Sequence, residues 1–161
     1  MNVASIMTTR VATVEMDDSL RVINGIFCAA RFHHLLVVDN DRLVGVISDR
    51  DLLKASSPFL DTAAERPQDV ARLGRKVHQI MTRTPITIHR DTSIAEAVEV
   101  LLKKNVSCLP VVTRDQKIEG IVTWKDLLRT YTGIHADGLL ECRHCGSKLE
   151  SVLDQNPSGR S

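Results

Sequence analysis

Two short segments combine a hydroxyl, a cation and a carboxylate at the same spacing. They are Ser48-Asp49-Arg50-Asp51 and Thr123-Trp124-Lys125-Asp126. A carboxylate only accepts hydrogen bonds, so a single aspartate can take both hydroxyl protons of a ribose. A hydroxyl three residues earlier can donate to a phosphate, and Arg50 or Lys125 sets a cation beside it. If the segment joins a strand to a helix, the unpaired N–H groups of the helix start also favour an anion. The same spacing has a plainer use. Ser or Thr followed three residues later by Asp caps a helix without any ligand. The residues alone leave both uses open.

Cys142-Arg143-His144-Cys145-Gly146 is a second chemical motif. Two thiolates at this spacing converge on a metal, and Gly146 permits a tight turn after them. Structural zinc takes four ligands, and the chain has no second CxxC. A zinc site at Cys142 and Cys145 therefore needs His135 or the same cysteines of another copy. A plain reduced hairpin and a redox pair are the alternatives, the latter without a thioredoxin-like context. Cys28 falls on an apolar helical pattern and Cys108 just before a strand, and both read as small buried residues. His33 and His34 can meet a phosphate when protonated, or can serve as structural residues before a buried strand. No Ser-His-Asp arrangement and no Walker-type glycine loop is visible, so no enzyme activity is expected.

An internal repeat has to position these residues. Val3-Ala4-Ser5-Ile6-Met7-Thr8 returns as Val77-His78-Gln79-Ile80-Met81-Thr82. At the same offset Thr13 meets Thr87, Asp17 meets Asp91, Ser19 meets Ser93, and Leu35, Val37 and Val38 meet Leu109, Val111 and Val112. After one inserted residue Gly45 meets Gly120, and Asp51-Leu52-Leu53 meets Asp126-Leu127-Leu128. Matches in fixed order over two copies argue for a pseudo-symmetric pair rather than a solenoid. Each copy reads as an opening turn, a short extended piece, a helix, two strands and a final helix. Ser93 and Glu96 form a capping-box pattern ahead of Ile94, Ala97, Val98, Leu101 and Leu102 on one helical face. Asp39-Asn40-Asp41 is a turn signal between two apolar strands. The boundaries expected are repeat one over 1–55, a linker over 56–69, repeat two with its leading helix over 70–131, and a tail over 132–161. Val70, Leu73, Val77 and Ile80 step at helical spacing into the second repeat.

The bulk properties bound the function classes. The chain has 161 residues, 43% apolar and 25% charged, with a net charge of +1. That suits one folded module and gives no electrostatic case for nucleic acid or an acidic membrane. With three Phe, one Trp and one Tyr, stacking platforms for single strands are not expected. No apolar run approaches a membrane span, and the start lacks the pattern of a signal peptide. Four unevenly spread cysteines point to a reducing cytoplasm.

The paired motifs resemble the CBS domain, named after cystathionine β-synthase. The resemblance covers residues 3–131. It is carried by Ile6-Met7-Thr8, Asp17 with Ser19, Leu35 to Asp39, and Leu43-Val44-Gly45-Val46-Ile47-Ser48-Asp49-Arg50-Asp51. Ser107-Cys108-Leu109-Pro110-Val111-Val112 and Gly120-Ile121-Val122-Thr123-Trp124-Lys125-Asp126 are their partners in the second copy. The resemblance implies an α/β (α+β) fold: tandem β-α-β-β-α repeats packed through their sheets into one pseudo-twofold module. It also implies a homodimer, and clefts between repeats that bind AMP, ADP, ATP or S-adenosylmethionine. No required cofactor is implied.

By that resemblance one cleft is built on Ser48, Arg50 and Asp51, with His33, Ile47, Thr84, Ile86, Val106 and Ser107. The other is built on Thr123, Lys125 and Asp126, with Val122, Arg10, Ala12, Phe32 and His33. The chain departs from the family pattern at Leu36, where proline is common, at Thr113, which stands where the first copy has Asp39, and at the bulky Trp124. Two readings follow. The chain is a regulatory module that senses an adenosyl ligand and acts on a partner protein, or it is a protein-interaction module without ligand.

Overall fold

The computed structural model describes residues 1–30, 32–56, 63 and 66–132. The first repeat runs β1 (Thr13–Glu15), α1 (Leu20–Ala29), β2 (His34–Asp39), β3 (Arg42–Ser48) and α2 (Asp49–Ala55). After α3 (Pro67–Arg72) the second repeat runs β4 (Thr82–Arg83), α4 (Ile94–Lys104), β5 (Cys108–Val112), β6 (Ile118–Thr123) and α5 (Trp124–Thr132). Short 3-10 turns, Val3–Ser5 and Val77–Gln79, open the two repeats.

Local chemistry sets most of these boundaries. Asn40 and Asp41 both adopt left-handed backbone, φ 49° and 60°, which makes the two-residue turn of a twisted hairpin between β2 and β3. Ser93 accepts from the Glu96 N–H while the Glu96 carboxylate accepts from Ser93, closing a capping box on α4. Asn105 ends that helix in the left-handed region, φ 51°. The Ser93 N–H and the Ser93 hydroxyl both donate to the Glu96 carboxylate and hold that carboxyl below its ordinary value.

The strands sort their side chains by alternation. Leu35, Val37 and Ile47 enter a core with Leu20 and Ile23 of α1. Leu109, Val111 and Val122 enter a second core with Ala97 and Leu101 of α4. The opposite faces meet each other: Leu36, Leu43 and Val46 pack against Cys108, Val112 and Ile121. The two sheets are thus joined by a third apolar layer, the sheet-to-sheet packing that the repeat resembles.

The first sheet has the order β1-β2-β3-β4, and the second named sheet has β5-β6. The second is extended by single bridges, Ile88 beside Val111 and Thr8 beside Ile121. These match β1 and β4 of the first sheet. An exchange follows from this. β4 and the turn Val77–Gln79 belong by sequence to repeat two, yet Val77 and Met81 lie in the first core. Val3 lies in the second core, at 0% exposure. Each repeat therefore lends its opening turn to the other. Gly45 and Gly120 make room for it, because a Cβ there would meet the Met81 Sδ at 2.6 Å or the Thr8 carbonyl at 2.8 Å.

Two local expectations change. The apolar stepping of Val70, Leu73, Val77 and Ile80 is not one helix: α3 ends at Arg72, and a turn through Gly74 separates it from Val77–Gln79. Leu73 still packs into the first core, so the spacing reports a buried face rather than a continuous helix. Cys28 is exposed, on the outward side of α1, whereas Cys108 is buried and its thiol is pushed up to about 12 by burial.

Candidate functional site

Both hydroxyl–carboxylate motifs sit at a strand-to-helix junction. Ser48 ends β3 and caps α2. The Asp51 Oδ2 accepts from the Ser48 N–H at 2.9 Å and from the Ser48 hydroxyl at 2.6 Å, while the Asp51 N–H donates to Ser48 Oγ at 3.2 Å. Thr123 ends β6, and the Asp126 Oδ2 accepts from its N–H at 2.8 Å and its hydroxyl at 2.7 Å. The Asp51 N–H bond to Ser48 Oγ completes a capping box in the first copy, whereas at Thr123 only the aspartate half of the box is formed, the half common to both copies. It occupies one oxygen of each aspartate and fixes the side-chain rotamer. The second oxygens differ. Asp126 Oδ1 lies 3.5 Å from the guanidinium of Arg129, one turn later.

The surroundings of the first motif are the more polar. His33 Nδ1 lies 2.6 Å from Asp49 Oδ2, and the Asp49 N–H donates to the His33 carbonyl at 3.1 Å. His34 pairs with Ser48 in the ladder, and its Nε2 lies 2.8 Å from Ser107 Oγ of the other repeat. Burial holds the His34 imidazole below its ordinary value, against the carboxylates of Asp49 and Asp51, while His33 and Arg50 push the same way as burial. Ser107 is thereby brought to the Ser48 end of the first sheet.

The remaining residues divide by what they can offer. Ile47 and Val122 have fully buried side chains in the two cores, so only their backbone groups can face a ligand. Ile86 and Val106 are partly buried against the second core, and Ala12 and Phe32 against the first. Phe32 meets Phe27 edge-on, with centroids 6.3 Å apart. Arg10, Arg50 and Lys125 are exposed, and Lys125 Nζ lies 5.8 Å from the centre of the half-exposed Trp124 ring.

Thr84 is exposed with φ 50°, and it precedes Pro85. A β-branched residue before proline in the left-handed region is strained, and such strain collects at functional sites. Asp49 and this strain were not marked as site features by spacing, because each depends on a partner or a torsion outside the motif; His34, read as a candidate phosphate contact, meets the Ser107 hydroxyl instead.

A surface notch of about 310 Å³ lies on the second repeat, lined by residues that include His89, Arg90, Arg114 and Glu119. It shares no residue with either motif. Among the described residues no group of three or more His, Cys, Asp or Glu is placed to hold a metal. Cys142, Cys145 and His135 lie outside the described residues. Among those residues no helix is long and apolar enough to cross a membrane.

A family model of the CBS domain matches residues 3–58 and again residues 77–133. The chain belongs to the CBS domain family. A CBS domain-containing protein of Dictyostelium discoideum is 38% identical over 128 residues, covering 78% of this chain and 88% of that protein. A Methanocaldococcus jannaschii protein is 32% identical over 133 residues, but this CBS pair spans only 40% of its length. Among solved structures, the CBS domain pair of protein MJ0100, in complex with 5-methylthioadenosine and S-adenosyl-L-methionine, superposes with a TM-score of 0.69. It is 28% identical, over 83% of this chain and 97% of that one. CBSX2 in complex with AMP gives a TM-score of 0.68 at 28% identity, over 82% of this chain and 96% of that one. The CBSX2 protein is from Arabidopsis thaliana.

Proposed function

We propose that this CBS pair is a cytoplasmic, non-catalytic regulator that binds an adenosyl ligand in its clefts and modulates a partner protein. The candidates are AMP, ADP, ATP and S-adenosylmethionine. The observation that carries the reading is the repeated aspartate, held by a hydrogen bond from the hydroxyl three residues earlier at the same junction of both repeats. A carboxylate fixed in this way is ready to accept from a ribose without losing side-chain freedom on binding. The solved neighbours with 5-methylthioadenosine, S-adenosylmethionine and AMP support the ligand class.

In this reading Ser48, Arg50, Asp51, His33, Thr84, Ile86, Val106 and Ser107 serve the first cleft, with the backbone of Ile47. Thr123, Lys125, Asp126, Arg10, Ala12, Phe32 and His33 serve the second, with the backbone of Val122. The pair works as a homodimer. Leu53 on α2 is 75% exposed and Tyr131 on α5 is 81% exposed, which gives the helices of the two repeats apolar surface to bury against a second copy. Cys142 and Cys145 of two chains together supply four thiolates for one zinc.

Thermal melts with AMP, ADP, ATP, S-adenosylmethionine and GTP test the ligand. Saturation at about 100 times Kd stabilises by about 2.7 kcal/mol. For a chain of this size that raises Tm by roughly 5–10 °C. Asp51→Ala lowers the unliganded Tm by the loss of its cap, about 1 kcal/mol, and also shrinks the ligand shift. No shift with any of the five at millimolar concentration, confirmed by calorimetry, overturns the reading.

A further inference from the structure

The two clefts share a wall. Phe32 and His33 lead into β2 and serve the second cleft, whereas Val106 and Ser107 lead into β5 and serve the first. His34 stands between them. Its ring reaches Ser107 Oγ at 2.8 Å, across the boundary between repeats. On its own side it is laddered to Ser48, the cap of α2, and it follows His33, which holds Asp49 at 2.6 Å. Hydrogen bonds and one covalent step therefore connect Asp49, His33, His34 and Ser107 in a single run.

The second repeat has no equivalent run. By the repeat alignment Ser107 takes the place of His33, Cys108 that of His34, and Trp124 that of Asp49. Cys108 is buried in the layer between the sheets, and an indole cannot pair with a serine as Asp49 pairs with His33. The pseudo-twofold is broken here, and one polar run crosses the shared wall in one direction.

We propose that the His34–Ser107 hydrogen bond couples the two clefts, so that a ligand in one changes the affinity of the other. The proposal rests on the cleft reading given above. Burial pushes the His34 imidazole towards its neutral form, and in that form Nε2 either takes the Ser107 proton or gives its own. A ligand that engages the Ser107 hydroxyl must reorient or release that bond. The ring that responds is bonded through its backbone to the Phe32–His33 wall of the second cleft. By linkage the effect is equal in both directions.

The test uses the full chain, AMP as the probe and titration calorimetry. Asp126→Ala isolates the first cleft and Asp51→Ala the second. The native isotherm is expected to depart from the sum of the two, with a change of about fivefold or more in the affinity of either cleft. His34→Phe, which keeps the ring volume and loses the hydrogen bond, restores the simple sum. Ser107→Ala is the second variant, judged by the same restoration should His34→Phe fail to fold. A native isotherm equal to the sum, or a departure that survives loss of the bond, overturns the coupling. AMP uptake by one cleft alone also overturns it and leaves the ligand reading standing. No uptake at all overturns both.

Discussion

Adding one methyl group at Gly120 tests the exchange of opening turns and its link to the clefts. A Cβ at Gly120 would lie 2.8 Å from the Thr8 carbonyl oxygen and 3.0 Å from Met7 Sδ. The methionine can turn away, but the carbonyl is backbone and must move with its strand. Thr8 exchanges two hydrogen bonds with Ile121, each at 3.0 Å, so moving it lengthens both. Overpacking of this kind costs about 1–3 kcal/mol, and weakening two hydrogen bonds adds about 1 kcal/mol. The expected loss for Gly120→Ala is thus about 2–4 kcal/mol, or roughly 4–16 °C in Tm. Gly45→Ala costs less, because its nearest neighbour is the flexible end of Met81, at 2.6 Å, and the Thr82 carbonyl is at 3.0 Å. Differential scanning calorimetry of both variants gives the ranking. A Gly120→Ala midpoint within about 1 °C of the native one, or a larger loss for Gly45→Ala, refutes the exchanged packing. Arg10 and Ala12 follow Thr8 by a few residues, so Gly120→Ala should weaken the second cleft more than the first.

Acidification should destabilise the native chain through His34. Its imidazole is held below the ordinary value of 6.5, so the unfolded chain takes up the proton first, and stability falls as pH drops from 6.5 towards the lowered native value. His34→Gln flattens that limb, whose slope from one proton is at most about 1.4 kcal/mol per pH unit; urea midpoints between pH 8 and pH 5 measure it, and parallel curves would contradict it. Thr84→Asn should raise Tm by roughly 2–6 °C, because asparagine tolerates the left-handed region that costs a β-branched residue about 1–2 kcal/mol. Thr84→Val keeps the strain and should show no rise in the same melt. Leu53→Glu combined with Tyr131→Glu should yield a monomer in sedimentation velocity, and an unchanged dimer would place the interface elsewhere. Native mass spectrometry should find one zinc per dimer, lost in Cys142→Ser; one zinc per chain, or none, would remove the shared site.

The parts of this fold that were legible in the sequence are those written in short spacing. The Asn40-Asp41 turn between two apolar strands and the Ser93–Glu96 box each need only a few neighbouring residues to be read, whereas which core Leu35, Leu36 and Val37 face does not follow from their uniformly apolar types. The repetition of short motifs in order supplied the pair architecture, and the comparison with known CBS domains agrees with it. The exchange was not legible, because Val3 and Val77 look alike in either core and nothing local says which core each enters. One signal was present: the methionine of each Ile-Met-Thr and the glycine of each second strand recur together, as Met7 with Gly120 and Met81 with Gly45. The stepping of Val70, Leu73, Val77 and Ile80 misled for a related reason. A buried face can be continued by a new turn, and Gly74 provided the break. At the motifs themselves the sequence left capping and ligand binding as rivals. The geometry shows the full cap at Ser48 and its aspartate half at Thr123, yet a carboxylate has two oxygens, so the local bonds do not exclude a ligand at the second one.

The two repeats follow one plan, but the chemistry beside their motifs is unequal. The aspartate, the hydroxyl three residues before it and the cation directly before it are kept in both. What changed is the residue beside them. Asp49 draws in His33 at the first junction, whereas at the second Trp124 offers a half-exposed indole face with Lys125 near it. The second oxygen of Asp126 also faces the Arg129 guanidinium at 3.5 Å, so a ribose placed there as proposed would meet a cation already beside it. Equal affinity at both clefts would require these differences to cancel for every ligand, although they act through different forces: charge pairing on one side, aromatic contact on the other. Phosphorylated and sulfonium-bearing adenosyl ligands differ in the charge they carry, so the cancellation cannot hold for both. If both clefts take adenosyl ligands as proposed, such a pair is expected to distinguish them by which cleft they fill first, with the contact of His34 and Ser107 as the place where that difference reaches the other half of the module.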